Sequence, residues 1–459
     1  MAGAKLNTSS VGRFVTLGGL AGRVAASVVG NQVLELVRSG PARQIRRTEN
    51  LVRNAGRIAE TLGELKGAAM KVGQMLSLHE GLLPPEVAEV LRSLQREAPR
   101  VPAEVMEDEI RGSLENFDEL FERLDFEAFA AASIGQVHLG VLRDGRPVAV
   151  KIKYPLIDEI VKADLANLRR VVHLLVSLVF DLDVEPIWRE VRDRLLEELD
   201  YTHEAANMRR MAELHRDVPE LVIPRVVTEA STRDVLTMEL VEGLPPEVAC
   251  SPAYDQSLRD AWARVLFEFQ LRGLFVHRFL HADPNLANFA FLDDGRVIVY
   301  DFGCVKEVPA DLAAGYAELL VAAVEGNRSA LPDIFRRLGV YKAGGLPLPS
   351  EVVDEYFEVL SPVLRATPPY TFGEDPELYQ RVLDISLRSW TEATDVRFPK
   401  DAIFIDRSLG GHFGNLSKLR ATGRWRDLVL QFAGPVAHSG NPAGSNRERE
   451  TPARRPDLP

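Results

Sequence analysis

The sequence predicts an α+β protein in which a helical segment comes first, a small β-rich lobe follows, and a mainly helical lobe comes last. Three observations support this order. Residues 31–124 show helical spacing, as at Leu65, Ala69 and Val72. Two hairpin patterns with Asp-Gly turns then interrupt the helical texture. The length of 459 residues is sufficient for more than one ordinary domain.

The first helical segment divides into a basic arm, residues 1–60, and a helical extension, residues 61–124. The arm carries nine Lys or Arg residues and three Glu residues, whereas the whole chain has a net charge of −12. Such an arm suits an anionic membrane surface, and a solvated helix face is the equally weighted alternative. The extension contains Lys71-Val72-Gly73-Gln74, and its helix is expected to end at Pro84-Pro85.

Composition and charge restrict the function and the location. Because the chain is acidic and phosphate contacts need clustered cations, we expect no nucleic-acid partner. The two cysteines, Cys250 and Cys304, are not at metal-ligand spacing, which indicates a reducing compartment and no zinc site. We expect neither a transmembrane helix, which needs ~20 apolar residues, nor a signal peptide. The expected location is cytoplasmic, with peripheral membrane contact through the arm as an alternative.

The β-rich lobe is predicted at residues 125–242. A loop of small residues from Ala130 to Gly135 leads into a strand from Gln136 to Val141. Asp144-Gly145 then turns the chain into a second strand from Pro147 to Lys153. Two inserted helical runs and two strand-like runs complete the lobe, at residues 157–180, 186–215, 221–228 and 234–240.

The helical lobe is predicted at residues 243–433 and contains one hairpin. The strands of this hairpin are Asn288 to Leu292 and Arg296 to Tyr300, joined by Asp293-Asp294-Gly295. Residues 434–459 are rich in Pro, Gly, Ser and mixed charge, which predicts a disordered tail.

Four short motifs occur in one order along the two lobes and together indicate phosphoryl transfer. They are the Ala/Gly loop, Val148-Ala149-Val150-Lys151, the segment from His281-Ala282-Asp283 to Asn288, and Asp301-Phe302-Gly303. Each motif alone is a weak signal. Phosphoryl transfer, however, needs a loop over the phosphates, a Lys on them, a base-like Asp, and Asp or Asn ligands for Mg²⁺. Asn288 follows Asp283 at the protein-kinase spacing, and the hairpin returns Asp301 beside Asn288.

Four features make the sequence resemble the UbiB/AarF family of atypical, protein-kinase-like proteins. They are the Lys71-Val72-Gly73-Gln74 element, an alanine-rich loop where ordinary kinases have glycines, Glu198-Leu199-Asp200-Tyr201 with Glu204-Ala205-x-Asn207, and His281-Ala282-Asp283-Pro284. Residues 407–411, Arg-Ser-Leu-Gly-Gly, also look like the C-terminal helical region of the family. The resemblance implies a two-lobed kinase-like fold with a helical N-terminal extension, a small β-rich N-lobe and a helical C-lobe.

The resemblance also implies roles for the matching residues. Lys151 would hold the α- and β-phosphates of ATP and would pair with Glu204. Asp283 would be the catalytic-loop Asp, and Asn288 and Asp301 would be the Mg²⁺ ligands. The family commonly reads His-Ala-Asp-Pro-His-Pro-Gly-Asn in this loop, whereas residues 285–287 here are Asn-Leu-Ala, which leaves the path of the loop open.

A loop, a hinge and a regulatory contact would complete the implied site. The backbone around Glu239 to Val241 would contact adenine. Lys71 and Gln74 would reach the site from the extension, with Lys71 near Glu198 and Asp200, and would occlude the place of a protein substrate. Alanine cannot adopt some backbone conformations that glycine allows, so the contacts of this loop with the nucleotide phosphates should differ from those in an ordinary kinase. The loop residues over the phosphates would be Ala131, Ala132, Ser133, Ile134 and Gly135.

The implied function is that of an ATP-binding, Mg²⁺-dependent atypical kinase or ATPase that supports isoprenoid-quinone biosynthesis or membrane lipid homeostasis. The implied partners are ATP and ADP, a membrane lipid or quinone precursor, and a biosynthetic protein complex. A nucleotide-switched scaffold with little catalysis is one alternative, against which the complete set of Lys151, Asp283, Asn288 and Asp301 argues. A soluble small-molecule phosphotransferase is another, in whose pattern Lys71-x-Gly-Gln has no place.

Overall fold

The computed structural model describes residues 101–439, apart from 133, 160, 163–164, 166–168, 170–184, 343–344, 376–380, 382–395, 398 and 400. The basic arm, Lys71, Gln74 and residues 440–459 lie outside this part of the chain, as does most of the helical run predicted at 157–180. The described residues form a small sheet-rich lobe and a larger helical lobe, which confirms the predicted α+β, kinase-like arrangement.

The strands are numbered in chain order. They lie at Phe121–Leu124 (β1), Ala130–Ala131 (β2), Gly135–Leu142 (β3), Pro147–Lys153 (β4), Leu221–Val222 (β5), Val235–Glu239 (β6), Phe279–His281 (β7), Phe289–Phe291 (β8), Val297–Val299 (β9), Val305–Glu307 (β10), Tyr341–Lys342 (β11), Tyr370–Thr371 (β12), Val396–Arg397 (β13) and Thr422–Gly423 (β14).

The α-helices are numbered in the same way. They lie at Ala103–Ser113 (α1), Phe117–Leu120 (α2), Glu185–Glu198 (α3), Tyr201–Leu214 (α4), Pro246–Ala249 (α5), Gln256–Leu271 (α6), Ala310–Glu325 (α7), Leu331–Arg337 (α8), Ser350–Arg365 (α9), Ala402–Leu419 (α10) and Trp425–Ser439 (α11). Within the part of the chain described above, no helix combines the length and the apolar character that crossing a membrane requires.

A five-stranded antiparallel sheet forms the small lobe, in the order β1-β3-β4-β6, with β2 on β3. Successive residues of β4 point to opposite faces, and its side chains Val150 and Ile152 pack with Met106 and Ile110 of α1. The prediction that residues 61–124 form a helical extension is therefore wrong at its end. Residues 117, 121 and 124 have helical spacing, but Phe121 and Leu124 belong to β1, which pairs with β3 and is buried there.

The inserted helices and the later strands also depart from the predicted bounds. The helical run predicted at 186–215 divides into α3 and α4, because extended Asp200 caps the N-terminus of α4 through the Thr202 N–H. The strand predicted at 221–228 is reduced to β5, since Pro224 has no N–H to offer a ladder. Residues Thr228–Ala230 form a 3₁₀ turn instead.

The helical lobe contains the predicted hairpin, in which β8 and β9 pair antiparallel through Phe289 and Val299. Its turn places Gly295 at φ +90°, a conformation that favours glycine. The prediction of a tail from residue 434 is wrong at its start, because α11 continues to Ser439 with Pro435 inside it. The helix continues because Ala433 and Ala437 are buried in the core of this lobe. The composition of residues 434–459 gives no sign of this packing.

Candidate active site

Lys151 lies at the centre of the candidate site on β4, and it forms the predicted pair with Glu204 of α4. Its Nζ donates to both carboxylate oxygens of Glu204, at 2.8 and 2.9 Å, and to Asp301 Oδ2 at 3.0 Å. The Lys151 side chain is 12% exposed and that of Glu204 is 6% exposed, so the pair is largely shielded from water. The Lys-Glu pair that active kinases require is therefore formed.

The electrostatics of this cluster favour a charged lysine. Burial disfavours the ammonium, but the carboxylates of Asp301 and Glu204 outweigh burial and hold the pKa of Lys151 well above its ordinary value. The ring of Tyr201 lies 5.3 Å from Lys151 Nζ, within range of a cation–π contact. Burial raises the pKa of Tyr201 above its ordinary range, so its hydroxyl stays neutral.

The predicted catalytic loop brings Asp283 and Asn288 together. Asn288 Nδ2 donates to Asp283 Oδ2 at 3.0 Å. Between them, Asn285 Oδ1 accepts from Ala287 N at 3.2 Å and caps the 3₁₀ turn Leu286–Asn288. The departure from the family pattern is thus accommodated, because Asn285 supplies a cap and the Leu286 side chain is buried.

Asp301 is held beside this loop by backbone contacts. Tyr300 N donates to Asn288 O at 3.0 Å, and His281 Nε2 donates to Asp301 O at 2.7 Å. Gly303 N donates to Asp301 Oδ1 at 3.0 Å, while the Phe302 ring is fully buried. The Asp301 carboxylate is 37% exposed, which leaves it accessible to a ligand.

The donor set in this region fits Mg²⁺. Within the described residues no group of three or more His, Cys, Asp or Glu side chains is placed to hold a metal ion. Mg²⁺ does not need one, because it takes one or two carboxylates and completes its shell with water and substrate phosphates. The amide oxygen of Asn288 and the carboxylate of Asp301 are hard oxygen donors of the required kind, and the hydrogen bond from Tyr300 N to Asn288 O brings the backbones of the two segments together.

The alanine-rich loop folds tightly onto the sheet. Ala131 pairs with Gln136 across β2 and β3, and Ala132 N donates to Gly135 O at 2.8 Å. A Cβ on Gly135 would overlap the Ile152 carbonyl oxygen, so this position requires glycine. Ile134 is buried and Ala131 is exposed, whereas Ser133 lies outside the described residues.

The predicted hinge begins at the last residue of β6. Leu240 N donates to Pro147 O at 3.0 Å, and Val241 O accepts from the Tyr300 hydroxyl at 2.7 Å. Glu239 is the last residue of β6 and pairs with Val148 of β4. The segment from Glu239 to Val241 therefore connects the two lobes, as a kinase hinge does.

The predicted regulatory residues lie at the junction of α3 and α4. Glu198 ends α3, and Asp200 accepts from Thr202 N at 3.0 Å and from Thr202 Oγ1 at 2.6 Å. Burial opposes ionisation of Asp200, but these hydrogen bonds lower its pKa. Because Lys71 and Gln74 are outside the described residues, their contact with Glu198 and Asp200 stays a prediction.

The structure also adds a residue to which the motifs assigned no role. Arg407 Nη2 of α10 lies 3.1 Å from Asp283 Oδ1. The sequence contained a signal, since Arg407 begins the Arg-Ser-Leu-Gly-Gly run that resembles the family. Sequence spacing could not place it against a loop so distant in the chain.

Comparisons with known proteins agree with this geometry. A family model described as the ABC1 atypical kinase-like domain matches residues 93–334. The chain is 31% identical over 433 residues to atypical kinase COQ8B, mitochondrial, of Rattus norvegicus, covering 92% of this chain and 80% of that protein. It is 29% identical over 379 residues to atypical kinase coq-8, mitochondrial, of Caenorhabditis elegans, covering 80% of this chain but 49% of that protein.

A solved structure shows the same fold at moderate identity. It is the complex of Rv3197 with erythromycin from Mycobacterium tuberculosis, which matches with a TM-score of 0.62 and 28% identity over 86% of this chain and 100% of that chain. The family model covers more than half of the sequence, and it matches the region that holds Lys151, Glu204, Asp283, Asn288 and Asp301. The resemblance drawn from the motifs is confirmed, and the chain belongs to the ABC1 atypical kinase-like family.

Proposed function

We propose that this protein is an ATP-binding, Mg²⁺-dependent atypical kinase or ATPase. The contact that carries the proposal is the shielded Lys151–Glu204 pair with Asp301 on the same ammonium. Burying a lysine and its carboxylate partner removes charges from water, which costs free energy. Such a pair is therefore more often retained for a function than for stability. The same arrangement presents one cation to nucleotide phosphates beside a pair of oxygen donors for a metal ion.

Each residue would act mainly through position and charge. Lys151 would hold the α- and β-phosphates, while Asn288 and Asp301 would hold Mg²⁺, which neutralises charge on the phosphate oxygens when bound. Asp283 would orient the attacking hydroxyl or water and accept its proton. Glu204 would keep Lys151 in place, and the backbone from Glu239 to Val241 would receive the adenine.

The wider role that we propose is support of isoprenoid-quinone (ubiquinone-like) biosynthesis or membrane lipid homeostasis. The atypical kinases of the COQ8 group named above support it, although the chain covers only part of the length of some of them. Under this proposal the partners are ATP and ADP, a lipid or quinone precursor, and other proteins of the pathway. The basic arm would provide a peripheral contact with an anionic membrane.

The test is ATP turnover by the purified full chain with and without Mg²⁺. Each condition is repeated with anionic vesicles and a phenolic quinone-precursor mimic. We expect Mg²⁺-dependent turnover that Asp301→Asn abolishes, whereas Asp311→Asn, a change at an exposed carboxylate on α7, leaves it intact. Nucleotide binding without turnover in the wild type would identify a nucleotide-switched scaffold. Stimulation by the vesicles and the mimic supports the membrane role, and its absence argues against that role.

A further inference from the structure

Three residues of helix α10 contact the catalytic loop. Ser408 Oγ donates to His281 O at 2.9 Å, and Asn415 Nδ2 donates to Pro284 O at 2.7 Å. Arg407 Nη2 lies 3.1 Å from Asp283 Oδ1. Two of these contacts hold the loop backbone, whereas the third is made to a carboxylate that the proposed chemistry uses.

The close approach of helix and loop depends on a glycine. A Cβ on Gly411 would overlap the ring of Pro284, so a larger residue would push α10 away from the loop. The two residues that hydrogen-bond to the loop backbone, on either side of Gly411, are buried: Ser408 is 0% exposed and Asn415 is 3% exposed. Their hydrogen bonds are therefore protected from competition by water. The backbone of the loop is fixed to α10 whether or not Arg407 is present.

Arg407 brings a cation to a loop that has none of its own. Residues 281–288 read His-Ala-Asp-Pro-Asn-Leu-Ala-Asn, so the loop contains neither Lys nor Arg. The Arg407 and Asp283 side chains are 16% and 21% exposed, and their attraction is therefore screened less than that of a surface pair. Asp283 Oδ1 faces Arg407 while Oδ2 accepts from Asn288, so both oxygens are held. Oδ1 also accepts from Asn285 N at 3.4 Å, whereas Oδ2 still has a lone pair available for another hydrogen bond.

We propose that Arg407 is a positioning residue for the catalytic-loop aspartate, and that its guanidinium fixes the Asp283 carboxylate in the orientation that receives the acceptor proton. The inference rests on the proposed function. Because Arg407 acts through Asp283, and its hydrogen bond and ion pair are made to that residue and not to Lys151 or the hinge, it should affect the chemical step more than nucleotide binding.

The experiment measures kcat, KM for ATP, Mg²⁺-nucleotide affinity and thermal stability in the full chain. The variants are Arg407→Gln, Arg407→Lys, Arg407→Ala with and without added guanidinium ion, and Lys418→Gln as a control. Lys418 is an exposed cation on the same helix, so its substitution makes the same change in net charge away from the loop. Asp283→Asn serves as a second control, since guanidinium cannot help when the carboxylate is missing.

We expect Arg407→Gln to lower kcat by about 100-fold, the scale of a misplaced catalytic group, with KM and nucleotide affinity changed by less than about threefold. Arg407→Lys should recover part of kcat, and guanidinium ion should raise the activity of Arg407→Ala but not that of Asp283→Asn. Lys418→Gln should behave as the wild type.

Two results would overturn the inference alone: a wild-type kcat in Arg407→Gln, or a parallel loss of nucleotide affinity and thermal stability that neither lysine nor guanidinium reverses. If Arg407→Gln does not fold, the Arg407→Lys variant decides the question through the same kcat and KM comparison. A wild type that binds nucleotide but has no Mg²⁺-dependent turnover overturns the proposed function and this inference with it.

Discussion

Lys151 Nζ on β4 and the carboxylate of Glu204 on α4 are joined by two hydrogen bonds of 2.8 and 2.9 Å. The pair links the sheet of the small lobe to the helix that packs beneath it. Asp301, at the start of the Asp-Phe-Gly segment, reaches the same ammonium from the other lobe. The strand, the helix and the Asp-Phe-Gly segment thus meet at one cation, and a change in any of them alters the site.

The Glu204→Gln variant tests this junction. It removes one of the two carboxylates that stabilise a buried ammonium, so we expect the free energy of unfolding to fall by about 1–3 kcal/mol and ATP affinity to fall with it. Urea unfolding and nucleotide titration measure the two effects. Glu213→Gln on the exposed face of the same helix is the matched control and should change neither. Unchanged ATP affinity in Glu204→Gln would show that the pair is only structural.

The alanine-rich loop predicts a change in nucleotide preference. In the Ala131→Gly and Ala132→Gly variants the loop gains conformations that bring its amides closer to a terminal phosphate. We expect the affinity for ATP to rise relative to that for ADP, measured by calorimetry with each nucleotide. Ala253→Gly, in an exposed turn, is the control. The same ATP-to-ADP ratio in all three variants and the wild type would exclude this role for the loop.

Gly411 and Gly434 make a matched pair of helical glycines. Gly411→Ala should cost about 1–3 kcal/mol of stability and lower turnover, because its methyl group overlaps Pro284 in the catalytic loop. A methyl group on Gly434 would lie in open space, with no neighbouring atom within 4 Å, so Gly434→Ala should stabilise α11 by about 0.5–1 kcal/mol. Thermal unfolding and turnover of the two variants give the comparison. Stabilisation by Gly411→Ala would show that α10 does not need its close approach.

The basic arm predicts membrane binding. Vesicle flotation of the full chain and of a form lacking residues 1–40 compares the two directly, on anionic and on neutral lipid. We expect the full chain to float with anionic vesicles at low salt and the shortened form to float less, because cationic side chains are attracted to the anionic surface. Equal flotation of both forms would assign membrane contact to the body of the protein.

The residues that could be placed from sequence were those with a local signature. The bounds of β4, Pro147–Lys153, follow from apolar alternation and the Asp-Gly turn before it, and the spacing from Asp283 to Asn288 identifies the catalytic loop. The break at Asp200 escaped prediction, since apolar spacing continues across it while one capping hydrogen bond ends the helical run. Arg407 escaped it for a different reason: its partner is 124 residues away, and spacing along the chain carries no information about that contact.

The long separation between Asp283 and Arg407 has a consequence for synthesis of the protein. At about 5–20 residues per second, the ribosome needs roughly 6 to 25 seconds to pass from one residue to the other. For most of that interval the nascent chain contains Lys151, Glu204, Asn288 and Asp301 but lacks the complete α10. Asp283 acquires its cationic partner only after 124 further residues have been added, so a chain that terminates before Arg407 contains the residues proposed to bind nucleotide without the helix that holds the loop of Asp283.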